Sequence, residues 1–181
     1  MSHSIKKLIR NAEKVPLSGK TLKDITNGEC NIIAYEQLMR VSTIDEAFKG
    51  KKGLILLYQQ EPDFGHWVLL WKQDSNTLRF FDSLGYQVDE ELPFSKHNLQ
   101  NHKGRLVPHL TTLIDKSNYK LIQNKTKFQK NKRDENTCGR WCAVMFRMRE
   151  YSVDEFKDLF DDVDGDYMVS AMTILYSKFN N

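Results

Sequence analysis

Residues 53–82 constrain the fold more than any other stretch of the chain. Gly53 to Gln59 is an almost wholly apolar run, Trp67 to Lys72 is a second, and Thr77 to Asp82 follows after Asp74-Ser75-Asn76. Short aliphatic and aromatic runs bounded by polar turn residues read as strands. The unbroken apolar character of the first predicts a central strand, buried on both faces. Asp and Asn side chains bond their own backbone in tight turns, so residues 74–76 join the next two strands as a hairpin. That hairpin brings His66, at the start of one strand, beside Asp82, at the end of the other.

The flanking sequence alternates short helices and strands. Ser4 to Val15 has Ile5, Leu8, Ile9 and Ala12 on one helical stripe. Ser18 caps a second helix through Ile25, ended at Asn27-Gly28. Cys30 to Tyr35 predicts a strand, and Ile44 to Phe48 a helical turn. Arg105 to Lys116 predicts a helix with Pro108 in its first turn. Tyr119 to Gln123 is a further strand, and Asn124 to Thr137 a polar loop before a helix that begins at Cys138. Ser152 caps Val153 to Phe160, and Asp164 or Asp166 caps a last helix to about Phe179. The reading is a single domain over residues 1–181, of the α+β class, with a mostly antiparallel sheet flanked by helices.

Cys138 lies in Asn136-Thr137-Cys138-Gly139-Arg140-Trp141-Cys142. A cysteine in the first turn of a helix feels the positive end of the backbone dipole, which favours the nucleophilic thiolate. Gly139 leaves room for close approach to the sulfur. With His66 as base and Asp82 to orient it, the chain order His, Asp, Cys supplies the parts of a thiol hydrolase. Each residue also has a structural reading. His66 could be packed beside Trp67, Asp82 could cap the turn before Ser83-Leu84-Gly85, and Cys138 could be a small core residue. The three agreements with one mechanism outweigh those readings taken singly. Cys30 and Cys142 keep the core assignment, and His3, His97, His102 and His109 that of surface residues.

The bounds fit this chemistry. A net charge of +3 does not by itself argue for nucleic acid. No apolar run approaches the length of a membrane span, and the N-terminus lacks a secretory core. Three cysteines without metal-type spacing predict neither a disulfide framework nor a metal site, and suit a reducing compartment. Asp161 to Asp166 has Gly165 misplaced for an EF-hand and reads as a capping turn.

Gly65-His66-Trp67, Phe81-Asp82-Ser83-Leu84-Gly85 and Thr137-Cys138-Gly139-Arg140-Trp141 resemble the adenovirus endopeptidase and SUMO-protease superfamily. The closer likeness is to adenain-type maturation proteases of virophages, polinton-like elements and large DNA viruses. Pro16-Leu17-Ser18-Gly19-Lys20 and Leu56-Leu57-Tyr58 extend it, so that it covers roughly residues 16 to 150. The resemblance implies a circularly permuted papain-like fold. It implies His66 as general base, Asp82 as orienting acid, Cys138 as nucleophile and Gln129 as oxyanion donor. Gln123 and Gln129 are the glutamines that precede Cys138 in its loop. Much of the superfamily has its glutamine six or seven residues before the cysteine, where this chain has Lys132 and Asn131, so Asn131 stands second to Gln129.

The expected function is a viral maturation endopeptidase cutting capsid or core precursors after small residues such as Gly. Trp67, Trp141 and Gly139 would shape a narrow cleft. It would work as a monomer without cofactor, in the virion and the infected cell. Lys116 to Arg133 holds seven basic residues and no acid. This is either a solvated loop or, given the adenovirus enzyme's use of DNA as a cofactor, a DNA or polyanion contact through Lys125, Lys127, Lys130, Lys132 and Arg133. The alternatives are a deconjugase of ubiquitin-like modifiers, an effector acetyltransferase, and a noncatalytic DNA-binding or scaffold module of the same fold.

Overall fold

The computed structural model describes residues 3–61, 64–95, 105–130 and 135–179. Five strands form one sheet in the order β1-β2-β3-β4-β5: Cys30–Ala34, Gly53–Glu61, Phe64–Lys72, Thr77–Phe81 and Lys120–Gln123. The central pairs β2–β3 and β3–β4 are antiparallel, as the hairpin reading requires. Both outer pairs, β1–β2 and β4–β5, are parallel. The sheet is therefore mixed rather than mostly antiparallel. The cause is connectivity: a parallel neighbour needs a crossover, and helical segments supply one on each side. Between β1 and β2 these are a 3₁₀ turn at Tyr35–Arg40 and helix α3 at Ile44–Phe48. Between β4 and β5 lie a short 3₁₀ turn at Leu92–Phe94 and α4 at His109–Asp115.

Helices cover both faces. Ile55, Leu57, Trp67, Leu69, Trp71 and Phe81 pack against α2 (Gly19–Ile25), α5 (Cys138–Arg147), α6 (Val153–Asp158) and α7 (Gly165–Phe179). The alternate residues Leu54, Leu56, Tyr58, Val68, Leu70, Leu78 and Phe80 pack against the Tyr35–Arg40 turn, α3 and α4. Helix α1 (His3–Glu13) precedes these layers. Burial on both faces is why β2 reads as a continuous apolar run.

Local chemistry sets the element ends. The Ser18 hydroxyl accepts from the Thr21 N–H and starts α2; Ser152 and Glu155 form a capping box at α6. Asp74 Oδ1 accepts from the Asn76 N–H at 2.8 Å and closes the hairpin turn. The helix expected over Arg105 to Lys116 begins only at His109. Val107 precedes a proline, whose ring disfavours helical backbone there. Helix α6 stops at Asp158, two residues short of the expected end. His97, His102, Asn131, Lys132 and Arg133 lie outside the described residues.

Candidate active site

Strand β4 pairs with β3 only as far as Leu69 opposite Phe81. His66 lies three residues beyond that last pair, where β3 continues against β2 alone, opposite Tyr58. Its ring therefore sits at the sheet margin, where Asp82, one residue past β4, turns to meet it. His66 Nε2 and Asp82 Oδ1 are 3.1 Å apart, and both residues are buried. Asp82 Oδ1 also accepts from the Leu84 N–H at 2.6 Å. Asn124 clamps the same residue from the adjoining loop: its Oδ1 accepts from the Asp82 N–H and its Nδ2 donates to the Asp82 carbonyl.

Gly65 makes this margin possible. A Cβ there would collide with the Tyr58 carbonyl, beside the irregularity in β2–β3 pairing at Gln59–Glu61. Only glycine lets the backbone pass so close just before the imidazole.

Cys138 opens α5, and its thiol is an interaction partner of the His66 side chain. With Nε2 held by Asp82, Nδ1 is the ring nitrogen left for the sulfur. Two distant segments fix the helix start. Asp166, at the beginning of α7, accepts from the Thr137 hydroxyl at 2.6 Å, the Trp141 indole N–H at 2.8 Å and the Lys130 N–H at 2.9 Å. From the other side, the Asn136 N–H donates to the Glu13 carbonyl and Asn136 Nδ2 to the Lys14 carbonyl. The buried Arg140 then spans both: Nη1 donates to Thr173 of α7, Nη2 to the carbonyls of Ala12 and Val15.

The electrostatics follow from this packing. Burial opposes charge on His66, but hydrogen bonds to Asp82 and Cys138 and the charges of Asp82 and Glu91 outweigh it, holding the imidazole well above its ordinary pKa. Glu91 also takes part, from a segment without any periodic pattern. It is 8% exposed, its Oε2 lies 3.7 Å from His66 Nε2, and burial pushes its carboxyl up to about 7. The donor atoms of His66, Asp82 and Glu91 lie within 4.8 Å of one another, but the void beside them leaves no room for a water-sized guest. Within the set, Asp82 hydrogen-bonds the imidazole, and Glu91 faces it as a nearby carboxylate without a hydrogen bond.

The other expected site residues divide. Gln129 is brought to Ser83, the residue after Asp82: its Oε1 accepts from the Ser83 hydroxyl at 2.8 Å, and the Phe128 and Gln129 N–H groups both donate to the Ser83 carbonyl. Trp67 lies over the nucleophile's helix. A Cβ on Gly139 would sit 3.0 Å from Trp67 Cδ1 and 3.4 Å from Leu17 Cβ, so the close approach that Gly139 permits is by the protein's own side chains. Trp141 is not a cleft wall. It is 1% exposed, enclosed by Phe128, Phe156 and Phe160, with its indole N–H given to Asp166. Of the basic residues, Lys125 and Lys127 are exposed, whereas Lys130 pairs with Asp164 at 2.9 Å. Among the described residues, no helix is long and apolar enough to cross a membrane.

A thiol at a helix start, an imidazole bonded to it, and a buried carboxylate on the far ring nitrogen form the arrangement that thiol-nucleophile hydrolases use. The chain belongs to the family of uncharacterized protein V9 of Sputnik virophage. The two are 31% identical over 164 residues, 91% of this chain and 94% of that protein. No protein-family model matches the sequence. Among solved structures, the chain is similar to SUMO protease Ulp1 with its catalytic cysteine oxidized to a sulfinic acid. That match has a TM-score of 0.47 at 13% identity, over 99% of this chain and 96% of that one. ChlaDub1 from Chlamydia trachomatis matches with a TM-score of 0.45 at 14% identity, over 92% and 80%.

Proposed function

We propose that the protein is a cysteine endopeptidase of the adenain and SUMO-protease type, acting in viral maturation on capsid or core precursors. The observation that carries this reading is the placement of His66 between Asp82 and Cys138. His66 takes the thiol proton, and the Cys138 sulfur attacks the scissile carbonyl. The imidazolium then protonates the leaving amine, and water releases the acyl group in the reverse sense. The Cys138 backbone N–H and the Gln129 side-chain amide serve as oxyanion donors. Because Ser83 holds Oε1 of Gln129, its amide nitrogen is the end left to face a substrate oxygen.

Cleavage next to small residues is supported by the setting of the sulfur. Cys138, His66 and Trp67 are each no more than 7% exposed, so only a slim, extended segment reaches the thiol. The viral assignment is supported by membership in the virophage protein's family. The adenain-like circular permutation, a monomeric state and a polyanion contact through Lys125 and Lys127 complete the reading.

Purified protein incubated with co-encoded capsid precursor, followed by mass spectrometry of new termini, tests it. The expected result is cleavage after Gly or another small residue that is absent with Cys138→Ala. Cleavage confined to the C-terminus of a ubiquitin-like fusion would assign deconjugation instead. Intact precursor and intact fusion at equal enzyme concentration would sink the protease reading.

A further inference from the structure

We propose that Glu91 is a positioning residue of this site, a second carboxylate that acts on Cys138 through the imidazole of His66. The inference rests on the cysteine-protease reading above. Glu91 Oε2 stands 3.7 Å from His66 Nε2, the same nitrogen that Asp82 Oδ1 holds at 3.1 Å. Oε2 is buried and has no hydrogen-bond partner among the described residues, and the same is true of Asp82 Oδ2. A buried carboxylate oxygen without a donor is costly unless a nearby charge compensates it. The side chains lining the void beside Glu91 are Tyr58, Gln60, His66, Phe94 and Ser95, and His66 is the one that can carry positive charge.

The placement is built rather than incidental. Asp89, two residues earlier, has a left-handed backbone with φ of 62°. Its Oδ1 accepts from the Tyr35 and Tyr58 hydroxyls, and its Oδ2 from the Thr111 N–H. On the far side, the Ser95 hydroxyl donates to the Gln59 carbonyl at 2.9 Å. The turn is thus tied at both ends to β2, and it delivers Glu91 to the imidazole edge.

The consequence concerns how long the imidazolium survives as pH rises. The charged and titratable groups facing Glu91 are His66 on β3, Asp82 after β4, Tyr58 on β2, the neighbouring Glu90, and Cys138 across the ring. The Tyr58 hydroxyl is committed to Asp89, and the Glu90 carboxylate accepts from the Gln87 N–H. Burial raises the Glu91 carboxyl to about 7, so its charge develops near neutrality, where it adds to that of Asp82 in holding the His66 proton. An imidazolium so held stays charged further into the alkaline range.

The test needs no substrate. The rate of Cys138 alkylation by iodoacetamide is followed from pH 5 to pH 10 by peptide mapping, in wild type, Glu91→Gln and Glu91→Asp. The pH at which the imidazolium–thiolate pair is lost should fall by about one unit in Glu91→Gln, the direction set by removing a negative charge close to the ring. Glu91→Asp should recover about half of that shift. An unchanged or raised midpoint in Glu91→Gln overturns the proposal while leaving Cys138 as nucleophile. Should Glu91→Gln not fold, Glu91→Asp carries the test alone, and a midpoint equal to wild type overturns the proposal. Preferential labelling of Cys30 or Cys142 in wild type would bring down the protease reading, and the role of Glu91 with it.

Discussion

Cys138 and Cys142 lie one turn apart on the same helix, yet they meet opposite conditions. In the second turn, Cys142 is fully enclosed, and its Sγ contacts the Trp67 carbonyl at 3.3 Å. Burial, with nearby negative charge adding to it, pushes its thiol well above the usual range. In the first turn, Cys138 meets the His66 side chain and the unpaired N–H groups of the helix end. The helix supplies only part of the difference, through the unpaired N–H groups of its first turn. The rest comes from the margins of other elements: a strand that outlasts its neighbour, a carboxylate one residue past another, and a loop carrying Glu91. The setting of the first turn is thus made largely by what three other segments bring to it.

The sharpest way to break that contrast is to remove the first thiol. Cys138→Ala should lower peptide turnover by about 10⁴-fold or more while leaving the melting temperature nearly unchanged, as activity assays and calorimetry would show. Asp166→Ala strikes the support of the first turn. It leaves the Thr137 hydroxyl, the Trp141 indole and the Lys130 N–H without their acceptor. It should cost about 4 kcal/mol in urea unfolding and slow Cys138 labelling.

The third prediction concerns the polar edge of the contrast. The Glu91 carboxyl, 4.5 when unperturbed, is raised to about 7 in the fold. The folded state therefore holds its proton more tightly, and the associated stability is full below 4.5 and lost as pH rises to about 7. Two and a half units correspond to at most about 3–4 kcal/mol. Urea midpoints measured from pH 4.5 to 8 should fall for wild type relative to Glu91→Gln; parallel curves would contradict the burial described.

Gly139→Ala should cost about 1–2 kcal/mol, because the new methyl meets Trp67 Cδ1 at 3.0 Å, and should reduce turnover as Trp67 shifts. Cys142→Ala should have the smallest effect, about 1 kcal/mol in stability with activity within about threefold of wild type. Equal loss of activity from Cys142→Ala and Cys138→Ala would erase the distinction between the two turns.

Much of this site is legible in the sequence because it depends on local patterns. The 74–76 turn sets the hairpin register, and the register brings His66 to Asp82. Thr137-Cys138-Gly139 marks a helix start without knowledge of its partners. The parallel edges of the sheet were not legible, because β1 and β5 are short and their direction depends on crossovers rather than periodicity. Glu91 escaped for a related reason: its segment has no regular repeat, and its place is fixed by tyrosines 31 and 54 residues away from Asp89. Trp141 was misread because position on the nucleophile's helix says nothing of depth. Phe128, from the basic loop, and Phe156 and Phe160, from beyond the helix, close over it.

The clasp formed by Arg140, Asn136 and Asp166 joins residues near 13 and near 166 across the back of the nucleophile's helix. During synthesis, the last of these emerges only after some 160 residues have left the ribosome. A nascent chain then has its histidine and its cysteine long before it has the brace that aligns them. The mutual alignment of His66 and Cys138 is therefore a late event in folding, set by the arrival of Asp166 rather than by the segments that carry the two side chains.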